Sequence, residues 1–178
     1  MKQFFNIVRP LKKVLGFEGA SPQEKTEAFS ETDRFKACGV FMTTTAYKVV
    51  TEYNLDYGYY RSAEPFFVVK TEKELLKAIK DALEASWYVG TCINLSTKDY
   101  LKRLKERSFK NLYHNSTSCF VRLKGNILEI TKYELHPSGR YLHESPDKVS
   151  LSIDKVGWDA ALQVIMNILN QENDSKSR

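Results

Sequence analysis

The stretch Thr117–Tyr133, TSCFVRLKGNILEITKY, predicts two antiparallel strands joined by a tight turn. Strand-forming residues stand on both sides of Lys124–Asn126, and a short glycine-containing turn between two such runs is typical of a β-hairpin. Residues 140–143 and 149–153 have the composition of two further short strands. The C-terminal half of the chain is therefore expected to contain a β-meander.

Strand composition also marks the region before the meander. Residues 38–53, CGVFMTTTAYKVVTEY, and 64–70, EPFFVVK, are rich in Val, Thr, Phe and Tyr, which favour strands. Residues 87–95, WYVGTCINL, read as another short strand or a buried connection. These runs predict that the sheet extends beyond the meander.

Three segments have the pattern of helices. Thr71–Glu74 forms a capping box, in which a Thr hydroxyl and a Glu carboxylate bind free backbone amides, and the apolar spacing that follows predicts a helix ending near Ser86. A second helix is expected to begin at Ser96 or Thr97. A last helix, capped by Asp154, buries one face, which comprises Trp158, Ala161, Leu162, Ile165 and Leu169.

This order of elements predicts an α+β fold, with an antiparallel β-sheet of hairpins and a meander packed against about three helices. With 178 residues, the chain is long enough to bury a core without metals or disulfides. We expect an N-terminal amphipathic helix and polar linker over 1–36, a single α+β domain over 37–172 and a frayed tail over 173–178.

Charge is distributed unevenly along a chain whose net charge is +5. Between Lys98 and Tyr113, six basic residues outnumber two acidic ones, a pattern typical of a solvated helix face or of a phosphate contact. Acids cluster instead on the meander and its turns, beside two tyrosines. This set could receive a basic protein partner or be plain surface, and it comprises Glu129, Tyr133, Glu134, Tyr141, Glu144 and Asp147.

A second group of tyrosines, Tyr53, Tyr57, Tyr59 and Tyr60, surrounds Gly58. Amphipathic aromatic side chains near a glycine turn can form a recognition surface. They can equally flank a hairpin or enter the core, and the sequence leaves both readings open.

The candidate catalytic residues are His114 and Cys119, which lie five positions apart. A hydrolase needs a nucleophile beside an oriented base, but strand alternation places Cys119 with Val121 and Leu123, as a core residue. His136 and His143 flank a turn without the further ligands that a metal site requires. We therefore expect no catalytic residues, no metal and no cofactor.

The cysteines and the hydrophobic segments indicate the compartment. The three cysteines, Cys38, Cys92 and Cys119, are odd in number and far apart, which favours a reducing compartment. The first residues, MKQFFNIVRP, lack the apolar core of a signal peptide, and no run approaches the roughly 20 apolar residues of a membrane span. The expected location is the cytoplasm.

The sequence over about 96–170 resembles the immunity proteins of bacterial contact-dependent growth inhibition (CDI) systems. The resemblance rests on the order of elements and on four short motifs. These are a Phe-Lys-Asn turn at Phe109–Leu112, Ser118-Cys119 at a strand start, a hairpin return at Gly125–Ile127 and a strand at Val149–Leu151.

The resemblance implies a non-enzymatic inhibitor that binds a cognate toxin C-terminal domain, often a nuclease, in a one-to-one complex and protects the producing cell. In similar proteins a toxin hairpin can pair with the sheet of the immunity protein. Because this chain is basic overall, the resemblance further implies that its acidic meander faces the toxin, or that the toxin is not a nuclease with a basic groove.

Expected toxin-binding residues fall into two groups, one on the acidic meander and one near Gly58. They are Tyr133, Glu134, Tyr141, Glu144 and Asp147 in the first group, and Tyr57, Tyr59 and Tyr60 in the second. The alternative hypothesis is a small basic nucleic-acid-binding protein that uses the segment 98–110, its tyrosines and Phe109. A third is an enzyme that uses Cys119 and His114.

Overall fold

A computed structural model describes residues 35–55, 59–86 and 95–171 of the chain. Within them the six strands form one antiparallel sheet with the order β3-β2-β1-β4-β5-β6. The strands are β1 (Lys36–Thr43), β2 (Tyr47–Leu55), β3 (Tyr59–Val69), β4 (Ser116–Lys124), β5 (Ile127–Leu135) and β6 (Leu142–Ser152).

Four helices accompany the sheet in the described residues: α1 (Glu72–Ala85), α2 (Thr97–Arg103), α3 (Phe109–His114) and α4 (Ile153–Asn170). The α+β fold with an antiparallel sheet is therefore confirmed. The meander is confirmed as β4, β5 and β6, which are neighbours in the sheet and follow each other along the chain.

The main core lies between the sheet and the two longer helices, α1 and α4. Because strand side chains alternate between the two faces of a sheet, Cys38 and Val40 of β1 point to this core with Cys119 and Val121 of β4. The helices contribute one buried face each, Leu75, Ala78, Ile79, Ala82 and Leu83 of α1 and Ala161, Leu162, Ile165, Met166, Ile168 and Leu169 of α4.

Helix α1 begins at the capping box that the sequence predicts. The Thr71 hydroxyl accepts a hydrogen bond from the Glu74 amide, and the Glu74 carboxylate accepts one from the Thr71 amide, at 3.3 and 3.1 Å. These two bonds satisfy amides that the first helical turn leaves free. At the other end, Ser86 donates to the Leu83 carbonyl and accepts from the Ala37 amide of β1, which attaches the helix to the sheet.

The second face of the sheet has a smaller core, formed where α2 and α3 cover part of it. Leu104 and Leu112 of this helical segment are fully buried against Phe41 and Val50. Beside them, Lys48 of β2 forms a buried ion pair with Glu106, which follows α2 and also accepts a hydrogen bond from Asn111. The pair holds the connection between α2 and α3 against the sheet.

Three expected details differ from the structure. The two short strands predicted at 140–143 and 149–153 are joined in one strand, β6, whose pairing with β5 shifts register between Glu144 and Lys148, and an edge strand tolerates Pro146 at such an irregularity. The expected turn at Phe109–Leu112 is the helix α3, capped by Ser108, whose hydroxyl accepts from the Asn111 amide. Asp154 does not cap α4, because its carboxylate accepts a hydrogen bond from the Asn126 side chain and the backbone leaves helical geometry only later, at Gly157.

Several expectations lie outside the described residues: the N-terminal helix and linker except its last two residues, the short strand at 87–94, Cys92 and the frayed tail. In the described ranges, no helix combines the length and apolar character that crossing a membrane requires.

Candidate partner-binding surface

The half of the second sheet face formed by β4, β5 and β6 is the candidate binding surface. In the described part of the chain, the smaller core against which α2 and α3 pack is formed by Phe41 of β1, Val50 of β2, Phe66 of β3 and Leu142 of β6. We call the side chains that β4, β5 and β6 present on this side the meander face. Its central members are Arg122 of β4, Glu129 and Tyr133 of β5, and Glu144 and Lys148 of β6, and Phe120 of β4 points to the same side but is buried, at 1% exposed.

Aromatic rings and one ion pair form the middle of the meander face. The rings of Phe120 and Tyr133 lie with their centroids 5.5 Å apart, and the Arg122 guanidinium lies over Phe120 at 4.8 Å. Arg122 also forms an ion pair with Glu144, which stands opposite Tyr133 across β5 and β6. This arrangement fixes two of the predicted contact residues, Tyr133 and Glu144, side by side.

The acids of the meander differ in whether they have a cationic partner. Glu144 pairs with Arg122, and Glu129 pairs with Lys148, with 3.0 Å between the Lys Nζ and Glu Oε1 atoms. In the ranges that the structure describes, neither Glu134 nor Asp147 pairs with a lysine or arginine. The negative charge of the meander is therefore partly neutralised within the protein.

Tyr141, another predicted contact residue, lies in the turn between β5 and β6. Its side chain is 49% exposed, and its ring stacks on His136 with 4.3 Å between centroids. A backbone hydrogen bond of 3.0 Å joins the His136 amide to the Tyr141 carbonyl, so the stacked pair belongs to an ordered turn.

Asp147 and Glu134 lie farther along the meander. Asp147 is on the exposed middle of β6, and Glu134 faces His143 across the strands with 3.9 Å between Oε2 and Nε2. Strand β6 is the last strand of the described sheet, so its outer edge and the meander face adjoin each other.

The second predicted group is described only in part. Tyr57 lies outside the described residues, and Tyr59 and Tyr60 belong to β3 with side chains that also lie outside them. Tyr53 is a core residue, 2% exposed, whose hydroxyl donates to the Glu64 carbonyl. Of the two readings left open for Tyr53, the structure supports a hairpin or core position rather than a recognition surface.

A groove of about 640 Å³ continues the meander face toward the turn between β4 and β5. It is lined by Phe35, Arg122, Lys124, Ile127 and Glu129. Ile127 is 40% exposed there, so the groove combines apolar and charged groups, as many protein interfaces do.

Sequence reasoning missed one residue, Glu52 of β2. It lies on the second sheet face, opposite Ala37 of β1 and Ser62 of β3, and the Ser62 hydroxyl donates to its carboxyl at 2.7 Å. Burial raises the pKa of Glu52 to about 7, and the Ser62 hydrogen bond opposes that rise. The available signal was an acid two positions after Val50 in a predicted strand. Because strand side chains alternate between faces, position 52 lies on the same face as position 50.

The His114 and Cys119 hypothesis is not supported by the geometry. Cys119 is fully buried in the main core, and burial raises the pKa of its thiol to about 12. His114 ends α3 at an exposed position before β4. The thiol therefore lacks the exposed thiolate that nucleophilic catalysis requires.

No three His, Cys, Asp or Glu residues approach closely enough to hold a metal ion within 35–55, 59–86 and 95–171. What the described surface offers is an ordered set of aromatic and charged side chains next to a sheet edge, which suits binding of another protein.

Comparisons with known proteins show similarity at the level of the fold. No family model matches the chain, and no curated protein matches it. A chain of a CdiA-CT/CdiI toxin and immunity complex from Yersinia pseudotuberculosis is 14% identical, with a TM-score of 0.54 over 76% of this chain and 97% of that one. A protein of unknown function from Neisseria meningitidis is 12% identical, with a TM-score of 0.52 over 81% of this chain and 98% of that one. The fold is thus like that of a chain in a toxin and immunity complex.

Proposed function

We propose that this protein is a CDI immunity protein that binds and neutralises a cognate toxin C-terminal domain. The observation that carries the proposal is the likeness of its fold to a chain of the CdiA-CT/CdiI complex, over 97% of that chain. The resemblance in sequence over about 96–170 points to the same class of protein.

The meander face and the adjoining edge of β6 are the proposed toxin-binding surface. Tyr133 and Tyr141 offer rings with a polar end, which are favoured at interfaces. Asp147 lacks a lysine or arginine partner among the described residues, so it is available to pair with a basic toxin surface. Glu134 also lacks one, but it follows Tyr133 in β5 and pairs with His143, so it points to the opposite side of the sheet and reaches the toxin only around the edge of β6. Glu144 completes this group, and the tyrosines Tyr57, Tyr59 and Tyr60 are proposed as a second contact group.

The proposed mechanism is inhibition by binding, in a one-to-one complex in the cytoplasm, without catalysis. A basic nuclease groove would be attracted by the uncompensated acids and covered by the meander. Complementary charge raises the rate of association, which matters for a protein that must capture a toxin before the toxin acts.

A growth assay tests this function. The C-terminal domain encoded by the gene directly upstream would be expressed from an inducible promoter, with and without this protein. We expect arrest of growth without the protein and normal growth with it. Normal growth in its absence, with the toxin domain present and folded, would refute the proposal.

A second candidate function, nucleic-acid binding, is favoured by one observation: the six basic residues between Lys98 and Lys110 are all exposed. Two facts weaken it. Arg103 is paired with Glu64, and Phe109, the proposed stacking residue, packs between Tyr100 and Tyr113 at 5.2 and 5.5 Å. Retention of single-stranded nucleic acid on a filter at low but not at high salt would support it, and no retention at either salt would remove it.

A further inference from the structure

Among residues 35–55, 59–86 and 95–171, none supplies a cation to the carboxyl group of Glu52. In the described residues its carboxyl group accepts a hydrogen bond from the Ser62 hydroxyl, and no described lysine or arginine forms an ion pair with it. The nearby bases of its face are engaged elsewhere, since Lys48 pairs with Glu106 and Arg122 pairs with Glu144.

Phenol rings surround this carboxyl. Tyr100 of α2, Tyr113 of α3 and Tyr133 of β5 are close enough that the negative charge of Glu52 contributes to raising the pKa of each phenol. We call Glu52, Ser62 and these three tyrosines the Glu52 cluster. All five residues are partly exposed, and the cluster lies where the helix-covered part of the face meets the meander face.

Gly39 of β1 lies beneath the cluster. A Cβ atom on Gly39 of β1 would lie 3.8 Å from the Glu52 carboxylate and 3.9 Å from the Tyr133 ring. Both distances are ordinary van der Waals contacts, so Gly39 lies directly against the carboxyl group and one of the rings.

The chemistry of the cluster selects a cation as its occupant. A buried carboxylate without a counter-ion is costly, and an opposite charge within a few ångströms removes that cost. Aromatic faces attract cations, and phenol and serine oxygens accept hydrogen bonds. One carboxylate is too few ligands for a metal site, whereas a planar guanidinium has five donors and stacks on aromatic rings.

We propose that the Glu52 cluster receives an arginine side chain of the toxin domain and anchors it by an ion pair between Glu52 and the guanidinium. This inference rests on the proposed function and names the contact at its centre. Tyr133 belongs both to the cluster and to the meander face, so the anchor site is continuous with the proposed binding surface.

Ionisation of Glu52 gives the anchor a dependence on pH. In the unbound protein the pKa of Glu52 is about 7. A cation that binds beside it must therefore displace a proton from Glu52 at pH 6 but not at pH 8. Affinity therefore rises over this interval, by up to about tenfold for one such group. The groups that face Glu52 or neighbour its cluster are Cys38, Tyr100, Tyr113, Tyr133 and the Lys48–Glu106 and Arg122–Glu144 pairs.

Calorimetric titration with a catalytically inactivated form of the upstream-encoded C-terminal domain tests the inference at pH 6, 7 and 8. Two matched variants are compared with the wild type. Glu52→Gln removes the charge and keeps the shape, and Glu84→Gln makes the same change on α1, where Glu84 pairs with Lys36. The histidines are present in every variant, so the difference between variants isolates Glu52.

We expect Glu52→Gln to lose about tenfold or more in affinity at pH 8 and to lose the rise from pH 6 to pH 8, while Glu84→Gln behaves as the wild type. A thermal unfolding scan of each variant verifies that it is folded. Tight binding by Glu52→Gln with the wild-type pH dependence would overturn this inference alone. Failure of the wild type itself to bind would overturn the proposed function and this inference with it.

Discussion

Arg122 on β4 and Glu144 on β6 form an ion pair across the strand between them, β5. The pair spans the middle of the meander face, and Arg122 also packs on Phe120. Glu144, a predicted toxin contact, is therefore already held in one position. An interface residue that is ordered before binding loses less conformational entropy when the complex forms.

Charge reversal on the meander is predicted to weaken toxin binding. Asp147→Lys places a positive charge on the exposed part of β6, and an unfavourable charge mainly slows association. We expect the association rate to fall about threefold or more, measured by surface plasmon resonance at low salt. Lys102→Glu, on the exposed face of α2, is the control and should leave the rate unchanged or faster. Equal slowing by both variants would contradict the placement of the binding surface.

The buried pair of Lys48 and Glu106 provides a test of the fold. Their side chains are 5% and 8% exposed, so Lys48→Met or Glu106→Gln alone leaves a buried charge without its partner. Each single change is predicted to cost about 3 to 5 kcal/mol of unfolding free energy, measured by urea denaturation. The double variant should recover a large part of that loss, and additive losses would show that the two groups do not interact.

The stability of the free protein is predicted to fall as the pH rises toward neutrality. The pKa of Glu52 is about 7 in the folded protein against an ordinary value of 4.5, so the folded state binds more protons than the unfolded state between these values. The stability that protonated Glu52 contributes, at most about 3 kcal/mol of unfolding free energy, is fully present below pH 4.5 and is lost as the pH rises through 7.

Glu52→Gln separates this effect from the rest of the protein. Urea denaturation at pH 5 and pH 8 should show a smaller loss of stability in the variant than in the wild type. At pH 8 the variant should be the more stable of the two. If the variant loses stability with rising pH as steeply as the wild type, the titrating group is not Glu52.

Removal of the Cys119 thiol should affect stability and not protection from the toxin. Cys119→Ala leaves a small cavity in the main core and is predicted to cost about 1 to 3 kcal/mol, measured by chemical denaturation. Cells that carry the variant should still survive expression of the toxin domain. Loss of protection by a variant that remains folded would revive the hypothesis of an enzyme.

The elements that the sequence predicts correctly are those decided by local interactions. The hairpin at 117–133 has its turn residues between two strand-forming runs, and the α1 capping box uses residues only three positions apart. The burial of Cys119 follows from strand alternation. Each of these patterns can be read within a short window of sequence.

Features that depend on distant parts of the chain could not be read in this way. Pro146 suggests a break, yet β6 continues because it pairs with β5 on one side only in the described sheet. The helix α3 has six residues and depends on the burial of Leu112 against the sheet. The Glu52 cluster draws its members from β2, β3, α2, α3 and β5, and no local pattern brings these five together.

The most direct test of the central claim is a binding measurement between the two purified proteins. This protein and the inactivated C-terminal domain encoded directly upstream would be mixed and analysed by size-exclusion chromatography with light scattering, and then by calorimetry. The account predicts a one-to-one complex with a dissociation constant of about 10 nM or lower. Two folded proteins that remain separate at concentrations of about 10 µM would contradict it.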